Sequence, residues 1–222
     1  MLAKDILKIK NKTPLNSEEI REELRKADEE GRMVDFSGQI IDNFFVLGEK
    51  ISHGITFENA EISGQFFLGE IFVDGDLILK DAKVSGSIYL AKINVSGNLD
   101  IRGLKTGGAI NLVGAEIGKS VLAEKIWSKG FLSLAKSYVG GDILLDKARI
   151  ENTTTKYAEM IIRGDLILEG AKAVGNISLS GAKIDGLLDL DDVTAGGDII
   201  LTQVSHGSVE NSRMEIKGQK IR

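Results

Sequence analysis

The chain repeats a hydrophobic pattern every eleven residues along most of its length. Positions 3, 5, 8 and 10 of each copy are predominantly apolar, and position 1 is usually glycine. With one inserted residue near 152–154, sixteen copies run from Gly31 to Gly207; Thr155 at position 3 and Asp35 at position 5 break the pattern. The copies begin at Gly31, Asp42, His53, Gly64, Gly75, Gly86, Gly97, Gly108, Lys119, Gly130, Gly141, Thr153, Gly164, Gly175, Gly186 and Gly197.

This spacing predicts two very short β-strands in every copy. Apolar residues two positions apart point to the same side of a strand, so each pair forms one inward face. Polar residues or glycine stand between the pairs, as corners require, for example at Lys80-Asp81 and Gly181. A helix is disfavoured, because the apolar steps of 2, 3, 2 and 4 do not match a helical period.

A single copy cannot bury enough surface to fold alone, so the copies must stack on one another. Stacking in chain order predicts an all-β fold, a right-handed parallel β-helix. One coil contains either eleven or twenty-two residues, and position 2 favours twenty-two, with four faces. Asp76, Asn98, Ser120, Asp142 and Asp165 alternate with Gln65, Ser87, Ala109, Phe131 and Thr154, although Asn176 and Asp198 fall on the other edge. Eight coils would span about 38 Å at ~4.8 Å each.

The N-terminal residues 1–30 predict a helical cap on this solenoid. Residues 16–30 have the signals of a helix: Asn16 as N-cap, Glu19 three positions later, and Gly31 after the end. Residues 2–10 suggest a second short helix, which could cap, dimerise or touch a membrane surface. The solenoid domain is placed at 31–218 and a tail at 219–222, and the uncapped C-terminal end is a candidate edge for self-association.

Written as five-residue units, the inward pairs Ala82/Val84, Ala115/Ile117, Ala148/Ile150 and Ala182/Ile184 give the chain a pattern that resembles the pentapeptide-repeat family. The resemblance covers residues 31–207 and includes the entry segment 34–38 after a charged helix. It implies a right-handed quadrilateral β-helix with no catalytic residues. The best-understood members of that family are DNA mimics that protect topoisomerases. This chain departs from the family in its 5 + 6 period and its larger apolar residues.

The amino-acid composition excludes several classes of function. The 222 residues contain no cysteine, which excludes disulfides, cysteine-ligated metals and thiol nucleophiles. The net charge of −5 and the 5% aromatic content argue against a nucleic-acid partner. No apolar run reaches the ~20 residues that span a bilayer, and no signal peptide is evident, so we expect a soluble cytoplasmic protein.

Few residues suggest chemistry, and none forms a convincing site. His53 at corner position 1 and His206 at inward position 10 are about thirteen copies apart and cannot form a pair, so we expect an ordinary turn residue and a residue at the edge of the last coil. Ser133 and Lys136 match the S-x-x-K motif, which requires a helix. The Asp76, Asn98, Asp142 and Asp165 ladder supplies too few oxygens for calcium, so corner hydrogen bonding is expected. We therefore assign no catalytic, cofactor-binding or metal-binding residues and expect no cofactor.

The sequence thus favours a non-enzymatic solenoid that acts as a structural or protein-interaction scaffold. Its outward positions are expected to be a mixture of Lys, Asp, Glu and Ser. A protein partner or self-association is expected, and a small-molecule substrate is not. The alternatives are a DNA mimic that binds a type II topoisomerase, which needs a continuous acidic stripe, and a self-polymerising scaffold that resembles bactofilins.

Overall fold

Each apolar pair marks a two-residue strand, which contains one inward residue of the pair and the residue between the two, because the polar residues on both sides turn the chain through a corner. In the computed structural model, which describes residues 13–46, 50–151, 153–154, 161–162, 165–210 and 215–216, these strands stack into a parallel β-solenoid. Ile88 pairs with Phe66 on one side and with Ile110 on the other, and both partners are one full coil away in the chain. The prediction of a twenty-two-residue coil is confirmed.

Four strands follow one another in each coil and define four faces. Face 1 contains Val34–Asp35, Ile55–Thr56, Leu77–Ile78, Leu99–Asp100, Val121–Leu122, Ile143–Leu144, Ile177–Ser178 and Ile199–Ile200. Face 2 contains Ile40–Ile41, Glu61–Ile62, Lys83–Val84, Lys105–Thr106, Trp127–Ser128 and Arg149–Ile150. Face 3 contains Phe44–Phe45, Phe66–Phe67, Ile88–Tyr89, Ile110–Asn111, Leu132–Ser133 and Leu166–Ile167. Face 4 contains Phe72–Val73, Asn94–Val95, Glu116–Ile117, Tyr138–Val139, Lys172–Ala173, Thr194–Ala195 and Glu215–Ile216.

Two longer strands, Lys183–Asp189 and Ser205–Glu210, pair in parallel and bend around the corner from face 2 to face 3. We number the coils by the strands of face 1, so coil 1 begins at Val34 and coil 8 at Ile199. The eight described strands of face 1 enclose about seven complete turns.

The interior is a continuous apolar column. Leu79, Leu90 and Ile101, which the repeat places inward, are at most 1% exposed. At the N-terminal end the column is aromatic: the rings of Phe44 and Phe57 lie 4.6 Å apart, and those of Phe44 and Phe66 5.1 Å apart. Stacked side chains of one kind fill the space between the four faces and stabilise every coil through its neighbours.

The predicted helix is confirmed as helix α1, Ser17–Glu30. The Asn16 side chain accepts hydrogen bonds from the backbone N–H groups of Glu18 and Glu19, and the Glu19 carboxylate accepts one from the Asn16 backbone at 2.9 Å. Gly31 ends the helix in the left-handed conformation. The buried stripe Ile20, Leu24 and Ala27 joins the same apolar core as the coils, so α1 covers the first coil. Residues 2–10 lie outside the described residues.

Coil 1 differs from the predicted register by one position. Val34 pairs with Ile55, one residue short of the regular coil length, and Val34 and Phe36 are the inward residues. The first copy is therefore one residue shorter than its successors, and Met33 at position 3 was a wrong assignment. Asp35 points outward and is exposed, which removes the apparent charge from the interior.

The predicted one-residue insertion near 152–154 is also wrong. Ile143 pairs with Ile177 and Leu132 with Leu166, and each separation exceeds the regular coil by twelve residues, so a segment of that length leaves the solenoid within coil 6. In that excursion Thr153–Thr154 pairs antiparallel with Ile161–Ile162. The copy that was counted there has Thr155 and Tyr157 where the inward pair of positions 3 and 5 would stand. It lacks the aliphatic pair that stacking requires.

Deleting residues 152–163 should leave the solenoid folded. The deletion joins Glu151 directly to Gly164 and so restores the spacing found one coil earlier, where Gly130 follows Lys129. We expect the circular dichroism spectrum to be retained and the thermal midpoint to stay within about 5 °C, since a shorter excursion costs little. The control deletes residues 130–141, which is the same length but out of phase by one residue. It should lower the midpoint by more than about 10 °C, because a one-residue slip turns inward side chains outward. Equal effects of the two deletions would contradict the assigned register.

Candidate functional site

The histidines and the S-x-x-K match do not form a site. His53 is an exposed turn residue with φ of 71°, as expected. His206 pairs with Ile184 at the last described coils and is exposed rather than inward. Ser133 lies on a strand, where its hydroxyl accepts a hydrogen bond from the Ala135 backbone, and Lys136 occupies a left-handed corner. These positions do not have the helical arrangement that the motif requires.

The Asp/Asn ladder forms the corner that precedes face 1. Each position-2 side chain accepts a hydrogen bond from the backbone N–H of the residue directly above it in the next coil. The bonds run from Asn98 to Asp76 (2.6 Å), Ser120 to Asn98 (3.2 Å), Asp142 to Ser120 (3.1 Å), Asn176 to Asp142 (2.6 Å) and Asp198 to Asn176 (2.7 Å). Corner hydrogen bonding, the role expected from the sequence, is confirmed.

The twelve-residue insertion explains why position 2 did not alternate cleanly. It returns Asn176 and Asp198 to the ladder that begins at Asp76 and moves Asp165 to the opposite corner, before face 3. There the Asp165 carboxylate accepts a hydrogen bond from the Leu187 backbone at 2.8 Å. Asn43 and Gln65 make the equivalent bonds in the first coils of that corner. Both ladders are therefore part of the structure of the corners.

Glycine at position 1 follows from the same ladders. A Cβ atom on Gly97 would lie 2.2 Å from Oδ1 of Asp76, and one on Gly175 would lie 2.1 Å from Oδ1 of Asp142. Real contacts of this kind are never so short, so the ladder oxygen occupies the space that a side chain would need. At Gly97 and Gly175, glycine thus records a close approach between coils; among the described position-1 glycines, only Gly31 and Gly75 also have a positive φ.

Charged residues at the other corners and on face 2 pair between coils. Lys80 donates to Glu58 at 2.8 Å, Lys83 to Glu61 at 2.7 Å, and Lys92 to Glu70 at 3.0 Å. The hydrogen bond to Glu58 raises the pKa of Lys80. These pairs are exposed and contribute little stability each. Their alternating sign means that the corners concerned carry no continuous acidic stripe.

Arg102 makes an ion pair on face 1 that is more enclosed. Its guanidinium binds the Asp100 carboxylate through two nitrogens, at 2.9 Å and 2.5 Å, and Asp100 is 7% exposed. This hydrogen bonding raises the pKa of Arg102. The pair places charged groups of both signs on face 1, in the middle of the solenoid.

Face 3 is different, because its described outward positions carry no charge over five successive coils. We call these positions the face 3 strip. Asparagine, glutamine, serine, glycine and apolar side chains occupy all of them. The strip consists of Asn43, Phe45, Gln65, Phe67, Gly69, Ser87, Tyr89, Ala91, Ala109, Asn111, Val113, Phe131, Ser133 and Ala135. The equivalent positions of face 1 include at least one charged residue in each of coils 2–6.

An exposed aromatic ladder marks the N-terminal half of the strip. The rings of Phe45 and Phe67 are stacked at 4.7 Å, and those of Phe67 and Tyr89 are tilted at 6.0 Å. Phe45 is 62% exposed and Tyr89 is 39% exposed. Keeping large aromatic rings in water is unfavourable unless another surface covers them. Face 4 also exposes Phe72 (37%) and Tyr138 (50%), but Glu116 lies between them. The lack of charge together with the ladder therefore makes face 3 the candidate contact surface.

Charge returns abruptly at the C-terminal end of face 3. Asp165 and Glu169 occupy the outward positions of coil 6, and Asp189 and Asp191 those of coil 7. At the other end, a groove of about 260 Å³ separates helix α1 from the first coil. Its lining consists of Ser17, Ile20, Arg21, Leu24, Asn43, Phe45 and Val46. The strip thus runs from a groove that contains an arginine to an acidic end.

The mixture of Lys, Asp, Glu and Ser expected at the outward positions is wrong for the face 3 strip, because the outward positions of all copies were considered together. With a twenty-two-residue coil, only alternate copies belong to face 3, and their positions 2, 4 and 6 show the uncharged pattern. The signal was present, but it depended on knowing which copies share a face.

Comparison with known proteins finds no matching family model, no similar curated protein and no similar solved structure. Within the described residues, no helix is long and apolar enough to cross a membrane. The same residues include no cluster of three or more His, Asp or Glu side chains that could hold a metal ion. The geometry of the faces is therefore the basis for a functional proposal.

Replacing Gly97 with alanine should destabilise the solenoid, because the new Cβ would collide with Asp76 and with the backbone of Gly75. We expect the free energy of unfolding to fall by about 2 kcal/mol, as for other overpacked sites. The matched control is Lys119→Ala, which removes a side chain at the same corner position one coil later. Urea unfolding of both variants measures the difference. A Gly97→Ala protein as stable as the control would contradict the ladder packing.

Proposed function

We propose that this chain is a non-enzymatic scaffold that binds the surface of another protein molecule through the face 3 strip. The observation that carries this proposal is the lack of charge at fourteen outward positions in a chain with 27% charged residues. Apolar surface with exposed aromatic rings, bordered by charged residues such as Glu70 and Lys92, is typical of protein contact sites.

A role as a scaffold rather than an enzyme is supported by the use of the polar side chains. The ladder carboxylates of Asp76, Asp142 and Asp165 each bind a backbone N–H group of the next coil. An active site needs polar groups that converge on a substrate. The periodic placement of these groups instead stabilises a solid rod, which can present a flat surface without rearrangement.

We also propose that the repeat is a variant of the pentapeptide repeat. Four short strands per coil and small inward residues such as Ala82, Ala115 and Ala148 support this relationship. A DNA mimic receives less support, because lysines alternate with acidic residues along the corners, as in the Lys80–Glu58 and Lys92–Glu70 pairs. The scaffold is therefore the function that the described surface favours.

Site-specific photo-crosslinking tests this function. A photoreactive phenylalanine analogue is placed at Tyr89 in the full chain, and the control carries it at Tyr138, a tyrosine on face 4 that is also exposed. In cells that produce the protein, we expect a discrete polypeptide adduct from position 89 and none from position 138. Mass spectrometry then identifies the captured polypeptide. Failure to form an adduct at position 89, or the same adducts at both positions, would contradict the proposal.

A further inference from the structure

We propose that a second copy of this chain covers the face 3 strip, with the two solenoids face to face and antiparallel. This inference rests on the proposed function and names the partner. The strip is uncharged over five coils, so it can meet its own copy without burying an unpaired charge. Its accessible part lies mainly in coils 1–4, because Ser133 and Ala135 of coil 5 are only 3% and 8% exposed. Its exposed rings, Phe45 and Tyr89, are the type of residue that anchors such contacts.

The charge pattern along face 3 selects the antiparallel arrangement. In a parallel pair, each coil would face the same coil of the other copy, and Glu169 and Asp189 would meet their own equivalents. Like charges placed opposite each other across an interface are strongly unfavourable. A two-fold axis through Tyr89 avoids this contact, because it places coil 1 opposite coil 5 and aligns only uncharged positions.

The same axis places coil 6 of one copy opposite the helix-covered end of the other. Arg21 of helix α1 lines the groove beside Phe45, at the edge of face 3. The acidic side chains of coil 6, Asp165 and the exposed Glu169, then lie opposite Arg21 of the second copy. The symmetry repeats this contact between Arg21 and coil 6 at both ends of the interface, although Glu18 and Glu22 flank Arg21 on the same helix.

The area of the strip determines how tightly the two copies are expected to bind each other. Five coils at ~4.8 Å extend about 24 Å along the axis, and four residue steps at ~3.3 Å extend about 13 Å across it. About 300 Å² of projected surface per copy, or roughly 600 Å² for both copies, is below the ~1,000 Å² expected of a stable specific interface, so the contact belongs to the weak and transient class. We therefore expect a reversible dimer with a dissociation constant on the order of 10–100 µM.

Sedimentation equilibrium of the full chain across a range of concentrations tests the dimer. The diagnostic variant is Tyr89→Lys, which places two ammonium groups together on the two-fold axis and should raise the dissociation constant at least tenfold. The control is Tyr138→Lys, which makes the same change at an exposed outward position of face 4 and should leave the constant unchanged. Thermal unfolding verifies that both variants are folded.

A charge exchange tests the orientation. Arg21→Glu alone should weaken the dimer several-fold, and combining it with Glu169→Arg should restore most of the loss. A monomer at all concentrations, a dimer unaffected by Tyr89→Lys, or the failure of the charge exchange would overturn the antiparallel dimer. The scaffold proposal would still hold after such a result if the crosslink from position 89 captured a different protein. It would be contradicted only if no specific adduct formed at position 89.

Discussion

The structure depends on one constraint, the stacking of each residue directly on the equivalent residue of the next coil. Because the coils repeat in register, each residue contacts the equivalent residue of the next coil. Apolar side chains stack inside, Asx and Ser oxygens accept hydrogen bonds from backbone N–H groups at two corners, and lysine lies beside glutamate at other positions. No coil has a separate core, so stability comes from contacts between neighbours. At the N-terminal end, helix α1 takes the place of a neighbouring coil by adding Ile20 and Leu24 to the column.

The corner ladders show how this constraint acts on the sequence. The Asp76 carboxylate accepts a hydrogen bond from a backbone N–H group of the next coil. Its oxygen therefore occupies the space directly above its own corner. At Gly97 a Cβ atom would lie 2.2 Å from that oxygen, so glycine is favoured there. One interaction therefore explains two features of the repeat, the polar position 2 and the glycine at position 1, that would otherwise need separate causes.

Most of the fold could be predicted from the sequence because the inward positions obey a strict period. The strands, the twenty-two-residue coil and the helix capped by Asn16 all follow from local pattern and capping chemistry. The errors arose where the chain leaves the period. The excursion after Glu151 keeps a similar spacing of residues, so counting positions could not separate a looped-out segment from a weak copy. The pairing of Ile143 with Ile177 reveals the difference in the structure. That pairing joins residues far apart in the sequence, so a local pattern does not contain it.

The fold constrains the outward positions less, because almost any side chain is tolerated in contact with solvent. For that reason the uncharged face 3 strip is informative: stacking does not require Phe45 or Tyr89 to be aromatic, and exposure disfavours it. We propose that contact with another protein, a requirement outside the single folded chain, accounts for these residues. The scaffold proposal and the antiparallel dimer both rest on this reasoning.

The twenty-two-residue coil is the claim on which these conclusions depend, and disulfide formation tests it directly in a chain that has no cysteine of its own. Cysteines at Asn94 and Glu116, which pair on face 4, should form a disulfide rapidly under mild oxidation. Cysteines at Lys105 and Glu116, half a coil apart and on opposite faces, should remain reduced. Rapid disulfide formation by the second pair, with none by the first, would contradict the account, because it would place eleven residues in each coil.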